Sequence, residues 1–138
     1  MKERIVLDTN CLILSLPPKS RYHKTWEAII RGQYVLCVSN EILEEYEEII
    51  SRFWGKDIAD YVMNIIINNT TTYFMDPFFK YKLIDADPDD NKFVDCAITS
   101  NARYIVTEDR HFDVLRQIDF PKVDVIGIDE FLHEVENA

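Results

Sequence analysis

Short runs of consecutive apolar residues alternate along this chain with longer stretches in which apolar positions recur every three or four residues. "IVLD", ending at Asp8, reads as a strand, and "TNCLILSL" reads as a helix opened by Thr9 and Asn10, residue types that favour first turns. A second helix is predicted from about Ser20 to Arg31, with Trp26, Ile29 and Ile30 inward and Gly32 as its stop. "YVLCVS", Tyr34 to Ser39, is β-rich, and Ser39 then caps the helix "NEILEEYEEIISRFW". After Gly55 a helix is expected from about Asp57 to Asn68, then a short strand in "TTTYF"; Pro77 to Lys82 carries no readable pattern. The remainder reads as a helix from about Pro88, a strand "RYIVT", a helix "EDRHFDVLRQI", a strand "VDVIGI" and a last helix "DEFLHEVE". Nearly continuous apolar strands separated by helices imply a parallel sheet with helices on both faces.

That architecture gives meaning to where the acids fall. In an open parallel sheet, side chains at the carboxyl ends of the strands converge on a crevice where ligands bind. Asp8 stands directly after the first strand, and Asp109 follows the strand around Tyr104 to Val106 through Thr107 and Glu108. In "NEILEEYEEIISRF", Ile42, Tyr46, Ile49, Ile50 and Phe53 define one helical face. Glu45 borders that face and Glu47 borders its other side, while Glu44 and Glu48 point away; the spacing leaves the choice between Glu45 and Glu47 open. Asp90 falls in the first turn of its helix, where the dipole favours an anion, and Asp95 lies near the inward positions Phe93, Val94 and Ala97.

Taken singly, each acid is explained as a helix cap or a solvated face. Taken together, carboxylates aimed at one end of a sheet raise one another's pKa, and a hard divalent cation removes the conflict. All-oxygen donor sets favour Mg²⁺ or Mn²⁺, and the histidines His23, His111 and His133 have no zinc-site spacing. Such an ion activates a water and holds a phosphodiester for in-line attack.

Length and composition narrow the classes. A chain of 138 residues, 47% hydrophobic with 3 glycines, fits one ordered domain spanning 1–138. A net charge of -10 argues against a broad, sequence-independent nucleic-acid binder, whose affinity rests on a basic face. Cys11, Cys37 and Cys96 stand singly in apolar stretches, as buried reduced thiols of a cytoplasmic protein do. No stretch approaches the roughly 18 apolar residues of a membrane span, so no membrane partner is expected.

The motifs "VLDTN", "SNEILEEYEEI", "DPDDNKFVDCAI" and "YIVTEDRHF" resemble, in this order, the four acidic motifs of the PIN domain, and in particular its toxin branch, the relatives of the VapC toxins. The resemblance spans essentially the whole chain. It implies a three-layer α/β/α sandwich with a central parallel sheet. It also implies a ribonuclease using Mg²⁺ or Mn²⁺, with Asp8, Glu45, Asp90 and Asp109 as the four acids and Asp8, Asp90 and Asp109 on the metal. Thr107 and Asn10 match polar positions that orient carboxylates or water, with Asn10 equally a helix-start residue, and Asp95 stands at a position acidic in some relatives. Glu108 departs from the glycine or arginine often found there and would place an extra carboxylate beside the metal. The implied partners are an RNA substrate, a cognate antitoxin protein and a second copy of the chain. Lys19, Arg21, Lys24 and Arg110 are candidate RNA contacts, each also an ordinary surface cation.

Rival classes fit less well. A haloacid-dehalogenase-type phosphatase needs a second Asp where Asn10 stands, and a response-regulator receiver needs a late Lys where Asp129, Glu130 and Phe131 follow the last strand. A PIN fold kept as a binding scaffold would retain the architecture without the chemistry.

Overall fold

In a computed structural model describing residues 2–138, the five strands pair in one parallel sheet. They are β1 (Glu3–Leu7), β2 (Tyr34–Val38), β3 (Tyr73–Phe74), β4 (Tyr104–Val106) and β5 (Val125–Ile126), in the order β3-β2-β1-β4-β5. Ile5, Val6 and Leu7 of β1 are wholly buried, as a central strand requires; each such side chain contributes about 1.5–3 kcal/mol through burial. The chain builds outward from β1 through β2 to β3, then crosses back to β4 on the opposite side of β1. The switch point, where the strand order reverses and a crevice opens, therefore lies between β1 and β4. Leu7 pairs with Val106, so the two strands end level and the residues after them share one rim.

The helices are α1 (Thr9–Ser15), α2 (His23–Ile30), α3 (Asn40–Trp54), α4 (Lys56–Asn68), α5 (Asn91–Thr99) and α6 (Ile128–Glu136). α5 lies across β1, β2 and β4, α2 packs on β2 and α6, and α3 pairs with α4, giving the outer layers of the α/β/α sandwich. Among the described residues, no helix is long and apolar enough to cross a membrane. Gly32 ends α2 as the pattern predicts. Its φ of 77° suits glycine, and a Cβ there would stand 2.9 Å from Thr71 Cγ2.

Three expectations change. Ile30 and Phe53 lie on the exposed side of their helices, because α2 buries Trp26, Ala28 and Ile29 and α3 buries Ile42, Tyr46 and Ile50, a stripe spaced strictly four apart. The segment Arg110–Gln117 is a 3-10 helix, not an α-helix: Asp109 accepts from the His111 amide, and Phe112 and Leu115, three apart, both face inward. The helix expected from Pro88 opens as a 3-10 turn, Pro88–Asp90, capped by Asp87, so that Asp90 immediately precedes α5.

The cap and one buried bond fix α3 against the sheet end. Ser39 Oγ accepts from the Ile42 amide at 3.3 Å, and the buried Tyr46 hydroxyl donates to the Leu7 carbonyl at 2.5 Å, one residue before Asp8. The Tyr46→Phe variant is expected to lose about 1–2 kcal/mol in urea denaturation, because the carbonyl loses a buried donor; an unchanged midpoint would show that the bond contributes nothing.

Candidate metal centre

Four elements deliver carboxylates to the crevice. Asp8 leaves β1, with its amide donating to the Val106 carbonyl at 3.0 Å, and is 6% exposed. Asp109 follows β4, and Asp90 enters from the turn before α5. Glu45 comes from α3, one residue before the buried Tyr46, and its charge acts on Asp8. Glu47 is fully on the solvent side, and its charge falls on Lys56 instead.

Thr107, His111, Thr9 and Lys92 hold the acids between them. The Thr107 hydroxyl donates to Asp8 Oδ2 at 2.6 Å, and Thr107 Oγ1 accepts from the Asp109 amide at 3.0 Å, so one residue couples both strand-end aspartates. His111 Nδ1 lies 3.3 Å from Asp90 Oδ2 and 3.4 Å from Asp109 Oδ1. The Thr9 hydroxyl donates to Glu45 Oε2, and Lys92 Nζ lies 2.8 Å from Glu45 Oε1. Asp8 Oδ1, Asp90 Oδ1 and Asp109 Oδ2 have no side-chain partner among the described residues. Asp87, Asp90 and His111 can bring one ligand atom each within 4.8 Å of one another, forming a rim on the Asp90 side.

The electrostatics follow from burial and like charge. Burial first, then Glu45 and Asp109, push the Asp8 carboxyl up, against the opposing bond from Thr107. Asp90 is pushed up to about 6 by burial and by Asp109, with Asp87 and Asp8 adding to the rise and His111 opposing it. Oxygen donors that share a crevice and resist holding their charges together fit a hard divalent cation.

Other sequence candidates lie elsewhere. Asn10 is exposed and makes no side-chain hydrogen bond among the described residues; its neighbour Thr9 reaches the acids, since the first helical turn puts Thr9 inward. Asp95 is buried but faces the segment after β3, where its Oδ1 accepts from the Tyr81 amide at 3.1 Å; burial is the main cause of its raised pKa, and Glu41 is the acid that adds to it. Glu108 turns from the acids to α6, where it accepts from the Ile128 amide at 3.1 Å. Arg21 pairs with Asp129 at 3.3 Å and Lys24 with Glu136 at 3.4 Å, both on α6, while Arg110 is exposed beside Asp109. Thr9, Lys92, His111 and Asp87 are the site neighbours that sequence reasoning missed. The signal for two of them was proximity, with Lys92 and His111 each two positions after an acid.

The sheet order, the crevice at its switch point and the converging acids define a PIN-type α/β/α domain. The PIN domain family model matches residues 4–111, a span that holds Asp8, Glu45, Asp90 and Asp109, and the chain belongs to this family. PIN domains are generally nucleases. Solved structures agree in fold. The structure of VapBC2 from Rickettsia felis bound to a DNA fragment from their promoter aligns at TM-score 0.62 and 18% identity, covering 90% of this chain and 98% of that one. PAE2754 from Pyrobaculum aerophilum aligns at TM-score 0.58 and 14% identity, covering 99% and 98%, and DNA-bound VapBC from Salmonella typhimurium at 0.57 and 13%, covering 93% and 99%. No curated protein matches the sequence.

A carboxyl whose pKa is raised on folding stabilises the protein while protonated, fully below its unfolded value and no longer once pH passes its folded value. For Asp90 that loss falls between about pH 4 and about pH 6. Asp90→Asn is therefore expected to raise the unfolding free energy near neutral pH by on the order of 2 kcal/mol without added metal, with the gain vanishing below about pH 4. Chemical denaturation at both pH values checks this, and a variant less stable than wild type near pH 7 would contradict it.

Proposed function

We propose that this PIN domain is a metal-dependent endoribonuclease that hydrolyses RNA phosphodiester bonds, the toxin of a type II toxin–antitoxin pair. The observation that carries the reading is the trio Asp8, Asp90 and Asp109, which come from three elements and act on one another electrostatically, each with an oxygen lacking a side-chain partner among the described residues. These residues would hold Mg²⁺ or Mn²⁺. Bound there, the ion supplies Lewis acidity for water and for the charge on the transferring phosphate.

The chain's own groups do the rest. Thr107 fixes Asp8 and the turn to Asp109, and His111 holds its imidazole between Asp90 and Asp109. Water attacks phosphorus, the bond to the 3′ oxygen breaks, and a proton passes to the leaving oxygen. No nucleophilic side chain is required. A groove of about 560 Å³ runs from Lys80 and Lys82 past Asn91 to Lys92, next to the turn that carries Asp90. Its lining also holds Glu41, Asp76, Asp85, Asp89 and Asp95, so what supports single-stranded RNA here is the exposed Phe78 and Phe79 nearby, on whose rings bases stack.

The likeness in fold to the VapBC structures supports a cognate antitoxin as partner. The exposed Phe53, Ile58 and Tyr61 of the α3–α4 hairpin offer apolar surface for a second copy of the chain. Three buried free cysteines suit a cytoplasmic setting.

Incubation with a panel of RNAs and single-stranded DNA, in Mg²⁺, Mn²⁺ or EDTA, tests the reading. RNA cleavage is expected in either metal and not in EDTA, and Asp8→Asn and Asp90→Asn are each expected to lower it by about a hundredfold or more. Cleavage that persists in EDTA, or at wild-type rate in both variants, would overturn it.

A further inference from the structure

The fourth acid differs from the other three. Asp8, Asp90 and Asp109 each keep one carboxylate oxygen without a side-chain partner among the described residues, whereas both oxygens of Glu45 are taken, by the Thr9 hydroxyl and by Lys92 Nζ at 2.8 Å. The Lys92 side chain is 13% exposed and that of Glu45 27%, so the pair is shielded from most of the solvent. A lysine in such a place is held by the fold. The Asn91 side chain donates to the Ile84 carbonyl at 2.8 Å and accepts from the Ile84 amide at 2.9 Å, locking the start of α5, and Lys92 is the next residue. One short segment thus carries an acid of the site, Asp90, and a cation directed to the opposite acid, Glu45.

We infer that Lys92 is the site's built-in second cation: its ammonium occupies the Glu45 corner, so that the centre takes a single divalent ion, on Asp8, Asp90 and Asp109. This rests on the metal-centre reading given above. The physical reason is charge balance. Four carboxylates in one crevice carry more negative charge than one divalent ion offsets, and a second ion is the usual remedy. Here a fixed ammonium lowers the negative charge at one corner, and a second divalent ion there would have to displace Lys92 from Glu45 and meet its repulsion at short range. Lys92 is in this account a positioning residue, acting through Glu45 and through the number of ions bound.

Mn²⁺ alone, titrated into the intact chain, tests the inference by calorimetry and by electron paramagnetic resonance, which distinguishes isolated from paired Mn²⁺ ions. Wild type is expected to bind one ion with the signal of an isolated Mn²⁺. Lys92→Met is expected to bind two, with a coupled signal, and Lys92→Arg one. Glu45→Gln is expected to keep one ion with affinity within about threefold of wild type, and Asp90→Asn to lose at least about tenfold. Two ions in wild type, or a Glu45→Gln loss as large as that of Asp90→Asn, would overturn the role of Lys92 while leaving the metal centre standing. Lys92→Met at one ion, with a wild-type-like circular dichroism spectrum and melt, would overturn it likewise. No Mn²⁺ bound by folded wild type would overturn the metal centre itself and the inference with it.

Discussion

Everything at the carboxyl end of this sheet is organised around the repulsion between carboxylates that the fold forces together. Asp8 sits almost out of solvent with Glu45 and Asp109 acting on it, and Asp90 feels Asp109, Asp87 and Asp8. Burial and like charge work in the same direction, toward the neutral acid. Left alone, such a cluster would relax outward or protonate. The level ends of β1 and β4, the Tyr46 bond to Leu7 and the Thr107 bridge hold it in place. Structure that resists its own electrostatics in this way gives up some stability, as the proposed cation site requires.

The partners of the acids are unequal, and the inequality carries the chemistry. Thr107 is neutral and serves to aim Asp8 and Asp109. His111 stands between two acids with its ring partly exposed. Lys92 is cationic and lies at Glu45, shielded from most of the solvent. The result is a graded crevice: a lysine-compensated corner on the α3 side, and uncompensated oxygens on the three aspartates. The proposed divalent cation and phosphate chemistry would fall at the uncompensated part. The acidic total charge of the chain poses no contradiction, because substrate attraction there would depend on local cations such as Lys80, Lys82 and Arg110 together with the ion, and not on a basic surface.

Much of this was legible in the sequence because it depends on position along the chain. Alternating apolar runs and 3.6-residue periods placed the sheet and its helices, and acids directly after two strands had to reach the same rim once the sheet was parallel. The side-chain partners were not legible, because they depend on rotation within a turn. Thr9 and Asn10 are adjacent and both suit a helix start, yet only the three-dimensional turn decides that Thr9 faces Glu45. Asp95 is as buried as a site residue would be, but its carboxylate satisfies the Tyr81 amide in the segment whose sequence carried no pattern. Glu108 read as a neighbour of the metal by sequence distance, whereas the backbone after β4 turns it to the start of α6. Periodicity also overextended two apolar faces, since Ile30 and Phe53 lie beside the buried stripes of their helices, on the exposed side.

The central proposal is that the three aspartates together hold one cation at the switch point between β1 and β4. Anomalous diffraction from crystals of this chain soaked in Mn²⁺ tests it most directly. The account predicts a Mn²⁺ peak bounded by Asp8, Asp90 and Asp109. A peak confined to the Asp87, Asp90 and His111 rim without Asp8, or no peak at millimolar Mn²⁺, would contradict it.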